Sequence, residues 1–392
     1  MIPLSPEDKL ILSCIKIHPD SIELEKINSL IPEIHDWDYL ISTIIDRGIG
    51  PLLFKKLPLL SNNTLIPQGV KTKLQQVYYK TVGRSTLLYE HFKKIADAFT
   101  KQNIPVVALK GIYLSEWLYR DIGLRQFSDI DLLVKEEDGE KSLAVLRSLG
   151  YKSALLSVTE FVDSKSEVIH YSPMVANGVS IEIHVKLHRN SESYAIDVSG
   201  FIQRSKPVTL NNVSVKAPEL HDLIIHLCVH LDKHFRGGHV QFTCFNDLTN
   251  LLVQYETEID WELFRIRCRE NKCEQLVFGY LMLINKYFDA PLPEDILQQY
   301  SSLLIESDER LFLDYLHGFF PVQYFVSTHW QNISLIPAFT DKVRYICDLI
   351  FPPKAFMIPK YNIKNPHLVF FYYPYRYWVG VKGVVKMILR NK

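Results

Sequence analysis

Two carboxylates two residues apart, Asp129 and Asp131 in Ser128-Asp129-Ile130-Asp131-Leu132-Leu133-Val134, carry the strongest chemical signal in this chain. The segment reads as a buried strand. A strand repeats every two residues, so both acids project from one face while Ile130 and Leu132 point to the other. Like charges held side by side repel, and a hard divalent cation relieves that repulsion. Mg²⁺ takes oxygen ligands, commonly one or two carboxylates plus water and substrate phosphates. The competing reading is a pair of solvated acids at a strand end, and a motif this short does not separate the two.

The sequence upstream supplies what a metal-bound phosphate needs. Ile104-Pro105-Val106-Val107-Ala108-Leu109 is a β-rich apolar run that stops at Lys110-Gly111, and helical spacing follows through Tyr113, Leu114, Trp117 and Leu118. The order is strand, glycine turn, helix, then Arg125 and the acid-bearing strand. Glycine in such a turn lets backbone approach a ligand, and the helix N-terminus behind it favours an anion. Lys110 and Arg125 add positive charge near the acids; ion pairing with those acids is their plainer role.

From Leu109 to Val134 the chain resembles the nucleotidyltransferase superfamily of the DNA polymerase β type. More narrowly, it resembles a bacterial family of uncharacterised nucleotidyltransferases with an LKG turn followed by R-x-x-SDIDLL. The resemblance implies an α+β fold, a polymerase-β-like core of mixed sheet and helices flanked by N- and C-terminal helical regions. It also implies a third carboxylate on a later strand. Glu182 in Ser180-Ile181-Glu182-Ile183-His184-Val185 fits that place, with His184 on the same face of an alternating strand. The narrower family has a similar Glu-x-His strand, a helix with paired histidines (here His226 and His230) and an Asp-Leu helix start (here Asp247). The likeness spans roughly residues 30–290. Two features depart from the broad superfamily: no hydroxyl follows the glycine in Lys110-Gly111-Ile112, and the stretch from Gly111 to Asp129 is longer. Both fit the narrower family.

The activity so implied is Mg²⁺-dependent transfer of a nucleoside monophosphate from an NTP, with ATP the expected donor, to an acceptor the sequence does not name. Pyrophosphate leaves. Asp129, Asp131 and Glu182 are then the catalytic carboxylates and hold Mg²⁺ or Mn²⁺, with Glu182 completing a second metal site or serving as base. Lys110, Gly111, Arg125, Ser128 and His184 are the nucleotide-contacting residues. Two metals ~3.5–4 Å apart clamp the attacking and leaving oxygens, and the protein mainly positions and neutralises charge. Replacing both aspartates of the dyad by Asn is expected to end metal-dependent turnover and leave the fold intact.

Two other classes compete. A non-catalytic nucleotide-binding or scaffold protein is one, although an idle cluster of three acids costs stability. A histidine-metal hydrolase is the other. His226, His230 and His234 fall at four-residue intervals and share one helix face, a turn after His221 and Asp222. Imidazoles so spaced can hold zinc, but Leu227 follows His226 where a zincin has glutamate. Packing between helices and contact with nucleotide or acceptor are the remaining readings of this column.

The chain has 392 residues, 44 basic against 44 acidic, so no global field recruits nucleic acid. With 47% apolar and 12% aromatic residues it can bury a large core. The start, Met1 to Asp8, lacks the pattern of a signal peptide, and no apolar run reaches the ~18 residues of a transmembrane helix. A cytoplasmic protein is expected. The six cysteines are scattered, as suits reduced and mostly buried thiols.

Four regions follow: helical 1–100, the α/β core 101–216, helical 217–348, and a basic aromatic segment 349–392. Helices open at Pro6, Asp36, Pro218 and Asp260; one runs over Tyr89–Phe99, and one over Glu136–Leu149 is stopped by Gly150. Asn177-Gly178 marks a hairpin leading into the strand of Glu182. Past Asp348 no acid occurs, while Lys354, Lys360, Lys364, Arg376, Lys382, Lys386, Arg390 and Lys392 interleave with aromatic rings. Contact with an anionic surface, stacking on nucleic-acid bases and a packed terminal helix are the expectations for this segment.

Overall fold

Local capping begins the helices where the sequence places them. Ser5 caps α1 (Pro6–Ser13) in a reciprocal box with Asp8, Asp20 does the same for α2 (Ser21–Leu30) with Glu23, and Asp36 caps α3 (Trp37–Asp46). A short α4 (Gly50–Lys56) follows. The structure, a computed structural model, describes residues 4–154, 171–188, 194–237, 242–317, 339–361 and 363–378.

The helix expected over Tyr89–Phe99 is the last third of α5, Gln68–Lys101, 34 residues long. Its buried positions Val70, Leu74, Thr81, Ser85, Leu88, Phe92, Ile95 and Phe99 fall three, four or seven residues apart and so share one face, and Gly83 faces open space. A strong apolar tail made the C-terminal third legible; the polar N-terminal part is helical because α4 packs along it.

The α/β core then runs β1 (Val107–Ala108), α6 (Lys110–Trp117), β2 (Asp129–Leu133), α7 (Gly139–Ser148), β3 (Lys152–Ser153), β4 (Met174–Ala176) and β5 (Val179–His184). After α8 (Val198–Arg204) come β6 (Lys206–Leu210) and β7 (Val213–Ala217). The described strands form one seven-stranded mixed sheet in the order β3-β4-β5-β2-β1-β7-β6. The fold is α+β, as expected. Gly150 follows α7 at φ +90°, and the β4–β5 hairpin turns on Asn177 and Gly178, both with positive φ.

Two pairings matter for chemistry. β2 and β5 are parallel neighbours, with Asp129 beside Ser180, Asp131 beside Glu182 and Leu133 beside His184. β1 pairs antiparallel with β2, which brings Ala108 opposite Leu132 and sets the start of α6 next to the acids. On one face of the central strands Ile130, Leu132, Ile181 and Ile183 are buried. The other face carries Asp129, Asp131, Ser180, Glu182 and His184. α5 lies against β2, β5 and β7, and α7 against β5 and α5.

Beyond the sheet, α9 (Leu220–Gly237), α10 (Thr243–Gln254), α11 (Trp261–Glu270), α12 (Glu274–Phe288), α13 (Glu294–Tyr300) and α14 (Glu306–Leu316) build a helical layer continuous with the main core. Asp260 caps α11, as its sequence predicts. Five cysteines are buried thiols and Cys347 is exposed. Farther on come α15 (Phe339–Ile350) and α16 (Lys354–Lys360), and among the described residues Phe356 and Met357 of α16 form with Ile363 and Val369 a small cluster apart from the main core. Lys382, Lys386, Arg390 and Lys392 lie outside the described residues. Among the described residues no helix is long and apolar enough to cross a membrane.

Candidate functional site

Strand register gathers the site. Because Asp131 and Glu182 are register partners on parallel strands, their side chains leave the same sheet face side by side, with His184 one pleat further along β5. Donor atoms of Asp131, Glu182 and His184 all lie within 4.8 Å of one another. His184 Nε2 is 2.8 Å from Asp131 Oδ1 and 3.6 Å from Glu182 Oε2. Lys110 Nζ donates to the same Asp131 oxygen at 2.8 Å. Asp131 and His184 are buried, Glu182 and Asp129 partly so.

The electrostatics follow from that crowding. Burial and then the charge of Asp131 push the Asp129 carboxyl up to about 7. Burial pushes Asp131 the same way, but Lys110 and His184 outweigh it and hold its carboxyl well below the usual carboxylate range. Burial disfavours the Lys110 ammonium, yet the Asp131 charge keeps its pKa above that of a free lysine. The dyad thus splits into one firmly ionised acid and one that shares its proton near neutrality.

Lys110 keeps its charge role beside Asp131 and also makes the turn. The left-handed residue of the turn is Lys110, at φ +46°, and not the glycine. A non-glycine residue there costs about 1–2 kcal/mol, a strain that goes with aiming this lysine at Asp131. Gly111 lies inside the first turn of α6, where a Cβ would meet the Phe127 ring at 2.7 Å. Close packing requires this glycine, whereas the sequence suggested approach of backbone to a ligand. No side chain caps α6 at Leu109.

Arg125 is committed elsewhere. Its Nε and Nη2 donate to Asp247 Oδ1 and Oδ2 on α10 at 2.8 and 2.6 Å, and both side chains are buried. Tyr119 adds its hydroxyl to Asp247 Oδ1 at 2.8 Å. The bidentate pair ties the loop before β2 to the helical layer. Ser128 is exposed, and its carbonyl accepts from Arg84 Nη2 at 2.5 Å, while Arg84 Nη1 reaches the Gly178 carbonyl at 2.9 Å. Arg84 on α5 thereby fixes both the entry to β2 and the hairpin before β5. Sequence reasoning missed Arg84 and Tyr119, and it noted Asp247 only as a helix start. Nothing in the local pattern marks them, since each acts on a segment distant in sequence.

Of the histidine column, His226 and His230 stack at 6.2 Å between ring centroids and His230 meets His234 at 4.4 Å. His226 is buried with neither ring nitrogen hydrogen-bonded. Burial first, then Lys110 and His184, push its pKa down to about 3, with Asp131 pulling the other way. Among the described residues the three-ligand group that could hold a metal is Asp131, Glu182 and His184, and the column is not part of it.

Residues 34–289 match the model of a family described as uncharacterised nucleotidyltransferase. The match takes in the whole sheet and the site, and the chain belongs to this family of nucleotidyltransferases. No curated protein and no solved structure matches the chain.

Proposed function

We propose that the protein moves a nucleoside monophosphate from an NTP, with ATP the expected donor, to an acceptor in a reaction that requires Mg²⁺ or Mn²⁺. The observation that carries this reading is the register of Asp131 with Glu182 on parallel strands, with Asp129 on the same face. Asp131 and Glu182 converge there with His184, while Asp129 shares the strand face outside that group, its carboxyl pressed toward the neutral form by burial and then by the Asp131 charge. A divalent cation suits that set, because the donors are mostly carboxylate oxygens short of compensating charge. Asp131 and Glu182 would hold it, with Asp129 at the edge. Bound there, it would neutralise the triphosphate and the departing pyrophosphate.

The chain's own groups account for the remaining work. The acceptor oxygen attacks the α-phosphorus, the bond from that phosphorus to the bridging oxygen breaks, and the electron pair leaves with pyrophosphate. Glu182, partly exposed, is the group placed to take the acceptor proton. Lys110 stands beside Asp131 and can exchange that carboxylate for a phosphate oxygen, while the first amides of α6 lack a side-chain cap. Incubation with each α-labelled NTP and cell extract tests the reading. Label should pass to one acceptor with release of pyrophosphate, and both should stop with EDTA or in Glu182→Gln. NTP binding that ignores metal and yields no transfer would make this a binding protein.

The acid-free C-terminal segment belongs to the same proposal as a contact with an anionic lipid surface. Phe370, Phe371, Tyr375 and Trp378 are exposed within it, and α15 just before it, which still carries Asp341 and Asp348, exposes the stripe Phe339, Val343, Ile346 and Ile350. Amphipathic helices with aromatic and basic residues sit at headgroup level.

A further inference from the structure

His184 sets this acid cluster apart from one built of oxygen alone. Its Nε2 is held 2.8 Å from Asp131 Oδ1 and 3.6 Å from Glu182 Oε2, on a strand, in a ring only 7% exposed. An imidazole so placed is within reach of a cation that both carboxylates ligate. A second ring, His226 on α9, is 5% exposed and has two buried nitrogens without a hydrogen-bond partner. Buried polar atoms are rarely left unpaired in a fold, and each such atom calls for a ligand or a cost. His226 is near enough to feel the charges of Lys110, His184 and Asp131. Imidazole nitrogen of His184 thus faces the acids from within the sheet.

We propose that Asp131, Glu182 and His184 form one mixed oxygen–nitrogen cation site, with His184 Nε2 a direct ligand, and that the site therefore prefers Mn²⁺ to Mg²⁺. The inference rests on the nucleotidyltransferase reading of the same site. Mg²⁺ is hard, small and served by oxygen, whereas imidazole suits first-row transition ions. Two further consequences follow from the geometry. Lys110 and His184 both contact Asp131 Oδ1 in the metal-free protein, so cation entry releases Lys110 toward phosphate. His226 remains outside the ligand set.

The test uses the full chain without nucleotide. Mn²⁺ is titrated and its free form followed by electron paramagnetic resonance, with Mg²⁺ as competitor. Pulsed measurements then seek nitrogen coupling to bound Mn²⁺ in protein carrying natural or ¹⁵N-labelled histidine. The expected result is a nitrogen coupling that changes with the label, is lost in His184→Gln and survives in His226→Gln. His184→Gln should also weaken Mn²⁺ by about 10–100-fold, the cost typical even of an indirect partner, and Mg²⁺ by less. The isotope arm needs no substitution, so a variant that misfolds does not decide the matter. Bound Mn²⁺ without histidine coupling, coupling that vanishes in His226→Gln, or equal displacement by Mg²⁺ would overturn this inference and leave the nucleotidyltransferase reading standing. Failure to bind either cation, with or without ATP, would overturn both.

Discussion

Asp129 and Asp131 are two residues apart and respond to pH in opposite senses. With its carboxyl raised to about 7, Asp129 keeps a proton in the fold that the unfolded chain gives up near pH 4. That contribution is present at low pH and is lost as pH rises through about 7. Asp131 has a depressed pKa, so its contribution is present above the ordinary carboxylate range and is lost as pH falls. The two charges are not equivalent, because Asp131 is the carboxylate paired with the partly buried Lys110 ammonium. Asp129→Asn should stabilise the metal-free protein by ~1 kcal/mol at pH 8 and by little at pH 4. Asp131→Asn should destabilise it by ~3–5 kcal/mol at neutral pH. Melting curves of both variants across pH check this; matching shifts would refute the division of roles. Glu182→Gln acts on a different step. Its loss should lower kcat by about 10²–10⁴-fold while nucleotide affinity holds, and a variant that kept kcat but lost affinity would make Glu182 a binding residue.

Elements reach the site through two arginine clamps. The Arg125–Asp247 fork joins the loop before β2 to α10 across 122 residues of chain. A buried bidentate pair depends on the planar guanidinium, so Arg125→Lys keeps the charge and loses the fit. Asp247→Asn should cost ~3–5 kcal/mol, since it strands a buried cation, and Arg125→Lys should lower the melting temperature by a smaller amount. If Arg125 instead held the triphosphate, Arg125→Lys would weaken ATP binding at an unchanged melting temperature; calorimetric titration beside a melting curve distinguishes the two. Arg84 is the lighter clamp, spanning the carbonyls of Ser128 and Gly178. It is one reason β2 and β5 start in register.

At the scale of the whole molecule, charge is balanced in number and uneven in place. No acid follows Asp348, and exposed rings crowd the same stretch. A local cationic field falls off within a Debye length, ~8 Å at physiological salt. Binding to anionic vesicles should therefore be measurable by co-sedimentation at low salt, fade at high salt, and weaken when everything past Pro374 is removed. Under a packing role the truncated chain would lose melting temperature and the intact one would ignore vesicles at any salt.

Sequence by itself determined what local geometry determines. A period of two puts Asp129 and Asp131 on one face whatever lies beside them, and Asn177-Gly178 turns the chain so that Glu182 and His184 share a face of the next strand. Asp36 and Asp260 announce their helices because a cap acts within three residues. Tertiary structure alone decided which strands are neighbours, and so that Asp131 stands beside Glu182 rather than merely resembling it in type. It decided that Lys110 bends left-handed onto Asp131, that Gly111 yields its space to Phe127, and that Arg125 turns to Asp247. Each of these is a choice among several partners of like chemistry. The choice is made by packing between segments distant along the chain, which no local spacing encodes.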